Sequence, residues 1–261
     1  MSIIYTPKGK AREYSPYAVN LYNGCNHGCK YCYAPGISRK QRKDFLNVTQ
    51  RRNVIRDFEK DCSKMNGLQS QVMLCFMTDP YNEQEETQKI TRECLKIALR
   101  NKIPLSILTK SKLVLRDIDI FKKFGGNINV GVTITMDNEE DSREWEPNAA
   151  TPSERIDILK ELSENGVSTW ASFEPVLDVN QSLNMIIMST PFVDLYKIGK
   201  LNNYKGIDKS MDWNSFLRQA VCIVRENSKN MYIKQDLRKF AEGFKLYGNE
   251  TNMDEFCLRW D

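Results

Sequence analysis

Histidine is nearly missing from this chain: His27 is the single example in 261 residues. That scarcity argues against metal centres built from several imidazoles, and no second cysteine pair is present to complete the knuckles of a structural zinc module. Long apolar runs are missing as well. The longest, Val72 to Met77, is too short to cross a bilayer, and the opening "MSIIYTPKGK" has no extended apolar region. The expectation is a cytoplasmic protein with no membrane partner. Nor is there a large charge excess, since 38 Lys and Arg against 34 Asp and Glu leave a net charge of +4. Bulk charge therefore demands neither nucleic acid nor an anionic surface. Without a Pro/Gly-rich linker or an internal repeat, residues 1–261 are expected to form one domain, long enough for one sizeable core.

What the chain does have is eight cysteines, three of them bunched in "YNGCNHGCKYCYAP". In a reducing compartment this pattern reads as thiols rather than a disulfide framework, and the bunch reads as a metal site. Most of the scattered five (Cys62, Cys75, Cys94, Cys222, Cys257) read as small buried apolar residues. Cys25, Cys29 and Cys32 supply three thiolates where a cubane iron–sulfur cluster has four corners. Three protein ligands leave one position for a small molecule, by the logic of open catalytic metal sites. Gly24 and Gly28 permit close wrapping of the loop. His27 is either a ligand, a hydrogen-bond donor to cluster sulfur, or an exposed residue.

Short apolar runs alternate with helically periodic stretches along the rest of the chain. Strands are expected near 18–22, 71–77, 104–109, 128–135, 167–173 and 193–198, and helices near 49–65, 85–100, 112–123, 152–165 and 180–188. The helix at 152–165 has the clearest signals: Pro152 between Thr151 and Ser153, Ile156, Leu159 and Leu162 at helical spacing, and Gly166 beyond. Parallel strands with helical crossovers give an α/β fold, a partial (β/α)6 TIM-type barrel with function gathered at the carboxyl ends of its strands. The core spans about 15–200. A helical C-terminal cap is expected over 211–261, made of a helix (DWNSFLRQAVCIVREN), a short apolar piece (MYIK) and a second helix around Asp236 to Phe244. The basic run "SRKQRK" (38–43), with Arg51 and Arg52, is either a solvated face or a phosphate contact.

Cys25-x3-Cys29-x2-Cys32, with Tyr31 before the third cysteine and a strand before the first, resembles the signature of the radical S-adenosylmethionine (SAM) superfamily. "YCYAP", "TDPYN", "LTKSKLVLRDIDI", "TITMD", "WEPNAATPSERI" and "FEPVLD" are similar to the branch containing spore photoproduct lyase and its photolyase-like relatives. The resemblance implies that Cys25, Cys29 and Cys32 hold a [4Fe–4S] cluster and that SAM binds its fourth iron. Reductive cleavage of SAM would give a 5′-deoxyadenosyl radical that abstracts hydrogen. It implies a cellular reductant such as flavodoxin or ferredoxin, and a substrate that is a nucleic acid or nucleotide, or else a peptide or small molecule. Thr78 and Asp79 would meet the SAM amino group, Lys110 its carboxylate, Thr133 and Thr135 the ribose, and the segment around Glu174 the adenine end or the substrate. Tyr31 and Tyr33 would relay hydrogen or shield the cluster. The lyase's hydrogen-donating cysteine falls at Phe76, while Cys75 lies one residue earlier and is expected on the opposite strand face. Lys197 and Lys200 stand near another strand end. A non-catalytic iron–sulfur protein and a zinc module are the competing readings.

Overall fold

Runs such as Val72–Leu74 and Leu105–Thr109 are apolar on both sides of the pleat, which suits parallel strands buried on two faces. The computed structural model describes residues 2–65, 70–201 and 210–260. Within them seven strands form one sheet: β1 (Tyr17–Val19), β2 (Val72–Leu74), β3 (Leu105–Thr109), β4 (Ile128–Thr133), β5 (Ser168–Val176), β6 (Leu195–Lys200) and β7 (Asn230–Ile233). Their spatial order is their chain order, and every neighbouring pair is parallel. Consecutive right-handed crossovers that always add to the same edge are how a (β/α) barrel grows. Among the described residues the sheet stays open, its β1 edge covered by Tyr5, which pairs with Ala18.

The main crossover helices, one between each pair of consecutive strands, lie on the outer face. They are α1 (Val54–Lys64), α2 (Ile90–Arg100), α3 (Ile118–Phe124), α4 (Pro152–Glu164), α5 (Val179–Ser189) and α6 (Trp213–Glu226). The main core joins them to the outward residues of the sheet, among them Val72, Leu74, Ile107, Val130, Val132, Ala171, Phe173 and Ile198. Helix α4 begins with a capping box between Thr151 and Glu154, has Pro152 in its first turn, and is followed by Gly166 at a φ of +73°.

On the inner face a smaller cluster of Tyr14, Ala18, Met73, Trp170 and Leu195 fills the barrel. Gly131 is obligatory there, because a Cβ on it would lie 2.2 Å from the Trp170 indole. Trp170 thus acts as a plug.

Four expectations change in detail. The helix expected at 49–65 starts at Val54, because Thr49–Gln50 instead pairs antiparallel with Tyr22–Asn23. The helix expected at 85–100 is broken at Lys89, whose φ is +55°, into Glu83–Gln88 and α2. The stretch 112–123 opens as a 3-10 turn over Lys112–Asp117 before α3. Finally, "MYIK" is a seventh sheet strand rather than part of a helical cap, and only Gln235–Arg238 of the following helix forms.

Candidate cofactor and active site

A cavity of about 880 Å³ opens at the carboxyl ends of the strands. Cys25, Cys29 and Cys32 border it together with Tyr31, Tyr33, Thr78, Asp79, Lys110, Thr133, Glu174 and Lys200. Of the residues expected to serve the site, only Thr135 and Lys197 stand apart from the cavity wall.

The cysteine loop is laced to its surroundings by backbone groups. Cys25 N–H donates to Phe45 O (2.8 Å), Lys30 N–H to Trp145 O (2.8 Å), and Asn148 N–H to His27 O (3.2 Å). Gly24 packs so closely that a Cβ would meet Asn47 O at 2.4 Å and Phe45 O at 2.7 Å; its φ is +82°. The Arg42 guanidinium reaches back to the carbonyls of Cys29 (3.0 Å) and Cys32 (3.1 Å). Burial, helped by the Asp79 charge, pushes the Cys25 thiol up to about 12, and burial pushes Cys29 to about 11. These thiols stay protonated until a cation offsets the cost of the buried charge.

His27 is buried rather than exposed, and both ring nitrogens are taken by protein. Nε2 lies 2.8 Å from the Asp79 carboxylate and Nδ1 lies 3.2 Å from Asn148 O. Asp79 in turn accepts from Tyr81 N–H (2.8 Å), the Thr109 hydroxyl (2.7 Å) and Lys110 N–H (2.9 Å). With these donors around it, the carboxylate fastens the ends of β2 and β3 to the cysteine loop. Burial raises its pKa, but the His27, Thr109 and Lys110 contacts outweigh burial and hold it below the usual carboxylate value.

Glu146 carried no role in the sequence reading, yet it organises one wall. It accepts from the Tyr31 hydroxyl and from Thr135 (3.1 Å), pairs with Arg155 at 2.5 Å, and stands 4.0 Å from Lys110 Nζ. Lys110 Nζ also lies over the Tyr31 ring, 5.6 Å from its centroid. Burial opposes the Glu146 charge, while Arg155 and Lys110 favour it and prevail, keeping the pKa low.

Opposite the cysteines, Glu174 accepts from the Tyr14 hydroxyl (2.5 Å) and from Lys234 Nζ (2.5 Å). Gly199 makes room for this pair, since a Cβ there would lie 2.8 Å from the Lys234 stem. Lys200 reaches the cavity wall, whereas Lys197 lies beneath it, 4.5 Å above the Trp170 ring. Tyr33 is half exposed and donates to Phe76 O (3.1 Å). Cys75 borders the cavity instead of turning away, because β2 ends at Leu74 and a φ of +63° at Cys75 breaks the strand alternation.

The donor set suits a multi-iron cluster. Three thiols share one cavity wall, a soft donor set of the kind that iron–sulfur clusters take. A cationic lysine and hydroxyl groups line the same space, as a zwitterionic nucleoside cofactor requires. Parallel strands in chain order, with a three-cysteine loop at their carboxyl mouth, define a cluster-bearing enzyme of the partial-barrel class. Residues 19–182 match the Radical SAM superfamily, and the chain belongs to that family, whose cofactors are a [4Fe–4S] cluster and SAM.

Among relatives, an uncharacterised protein of Methanocaldococcus jannaschii is 34% identical over 206 residues, covering 78% of this chain and 75% of its own length. An uncharacterised Mycobacterium tuberculosis protein is 27% identical over 168 residues, covering 62% of this chain; the chain spans about half of that relative (49%). Two solved structures share the fold. Spore photoproduct lyase with bound AdoMet and dinucleoside spore photoproduct has a TM-score of 0.68 at 10% identity, covering 88% of this chain and 78% of its own. Streptococcus suis SuiB bound to S-adenosylmethionine has a TM-score of 0.63 at 15% identity, covering 88% and 53%.

Proposed function

We propose that this chain is a radical SAM enzyme in which Cys25, Cys29 and Cys32 hold the cluster and Lys110 pairs with the SAM carboxylate. When bound, cluster and SAM supply a 5′-deoxyadenosyl radical for hydrogen abstraction. The observation that carries the reading is the sharing of one cavity by the three thiols, Lys110, Thr78 and Thr133. Thr78 serves the SAM amino group and Thr133 the ribose. Asp79 and Thr135 act as positioning residues, because their side chains are engaged by His27, Thr109 and Lys110 N–H and by Glu146 respectively. Tyr31 braces Glu146 beneath Lys110, which supports a positioning role rather than a relay. Tyr33 covers the cluster side of the mouth.

The substrate class favoured is anionic, a nucleic acid or nucleotide. The cavity wall carries seven Lys or Arg residues against two carboxylates, Asp79 and Glu174, which favours phosphate-bearing ligands. The lyase neighbour carries a dinucleoside photoproduct, while another SuiB structure carries the precursor peptide SuiA; a peptide substrate is the second reading. A low-potential carrier such as flavodoxin or ferredoxin supplies the electron.

Anaerobic reconstitution followed by dithionite and SAM tests the reading. A cluster signal that shifts on SAM addition and 5′-deoxyadenosine formation are expected, both lost in Cys29→Ala. A reduced cluster that leaves SAM intact would favour a non-catalytic iron–sulfur protein. Bound zinc without inorganic sulfide would remove the cluster reading altogether.

A further inference from the structure

The net positive charge of this chain is local. Residues 38–52 carry Arg39, Lys40, Arg42, Lys43, Arg51 and Arg52 against the single acid Asp44, a net +5, so the remainder of the chain is net −1. Among the described residues none of these six cations forms an ion pair with a carboxylate, whereas Lys10, Lys30, Arg56 and Arg100 elsewhere on the surface do. All six are exposed; Lys40 and Arg42 also border the cavity, whereas Arg39, Lys43, Arg51 and Arg52 do not.

Apolar surface lies within this segment and just before it. Ile37 is 66% exposed, Leu46 40% and Tyr33 47%, three of the seven large exposed apolar side chains among the described residues. The segment is also stitched to the cysteines, through Arg42 to Cys29 O and Cys32 O and through Phe45 O to Cys25 N–H. Exposed apolar side chains among unneutralised cations are the composition of a transient protein interface steered by charge. Phosphate contacts alone need no aliphatic side chains, and Ile37 and Leu46, unlike Tyr33, offer no ring on which a base could stack.

We propose that residues 37–52 form the docking surface for an acidic one-electron carrier protein; this rests on the reading of the three thiols as a cluster site. In the transfer, an anionic flavin hydroquinone would lose one electron and become the neutral semiquinone, and the cluster that Cys25, Cys29 and Cys32 would hold would be the acceptor.

The test uses reconstituted full-length holoenzyme and a fully reduced acidic flavodoxin, with cluster reduction followed by stopped flow. For Arg39→Glu/Lys43→Glu/Arg52→Glu, none of which lines the cavity, the second-order rate at low salt is expected to fall about ten-fold or more. The wild-type rate should drop with ionic strength and the variant's should not. Dithionite reduction, iron content and the SAM-induced signal should be unchanged. An unchanged flavodoxin rate in a cluster-loaded variant overturns the proposal. So does selective loss of binding to a single-stranded oligonucleotide with flavodoxin reduction intact, which would give the patch to the substrate. If the triple variant holds no cluster, Leu46→Ser, which alters no charge and does not line the cavity, carries the same rate test. A wild-type protein that assembles no cluster overturns the underlying reading instead, so the two failures are distinguishable.

Discussion

Glu146 and Arg155 form an ion pair at 2.5 Å, with side-chain exposures of 0% and 1%. Arg155 also donates from Nε to Ala150 O (2.8 Å) and from Nη1 to Thr133 O (3.1 Å), so it ties α4, the end of β4 and the Glu146 loop together. Removing one member of such a pair strands the other charge out of water. Glu146→Ala should lose roughly 3–5 kcal/mol of stability, because Arg155 is left without its counter-ion. That corresponds to a melting midpoint about 10 °C lower. Glu146→Gln/Arg155→Met, which removes both charges, should recover much of the loss; equal instability of the double variant would refute the account.

Asp79 predicts a different phenotype. Asp79→Ala releases His27 and the N–H of Lys110 while leaving all three cysteines in place. Iron affinity should weaken about 10- to 100-fold, as when the partner that orients a metal-binding loop is removed. Iron and sulfide analysis after desalting reads this directly, and full occupancy would show that the loop is held by other contacts.

Lys197 gives a pH signature. Burial, with Lys234 adding to it and Cys257 opposing, lowers its pKa to about 7. The folded value lies below the ordinary lysine value of about 10.4, so between those limits the unfolded chain binds the extra proton. Stability from this group therefore rises with pH across that window, and is lost as pH falls towards 7. Chemical denaturation of Lys197→Met at several pH values should show a flatter profile than wild type from pH 7 to 10. Parallel profiles would place the titration elsewhere.

The plug yields a packing prediction. Gly131→Ala drives a methyl into the Trp170 ring and should cost at least about 1–3 kcal/mol. Trp170→Phe in that background should restore part of it, a non-additivity that a double-mutant cycle measures. Additive losses would mean that the sheet, not the indole, absorbs the strain.

Much of this was legible in the residues themselves. Buried parallel strands announce themselves by continuous apolar runs, and α4 by its cap, proline and trailing glycine. The breaks were less visible, because Lys89 and Cys75 adopt left-handed backbone conformations that side chains of those types rarely take. The seventh strand was hidden by its length of four residues. The cysteine loop could be read from spacing, but the partners of His27 and Asp79 depend on tertiary contact. Glu146 had one usable signal: Arg155 falls on the same stripe of α4 as Ile158, Leu159 and Leu162, and a cation on an apolar stripe needs an acid to meet it.

Trp170 packs with Met73 and Leu195 on the inner face of the sheet, and Lys197 lies over its ring, so among the described residues this face is filled by side chains. A client that reaches this floor would meet a rigid indole rather than an open channel, so the depth to which it can insert would be set by Trp170 and its glycine neighbour Gly131.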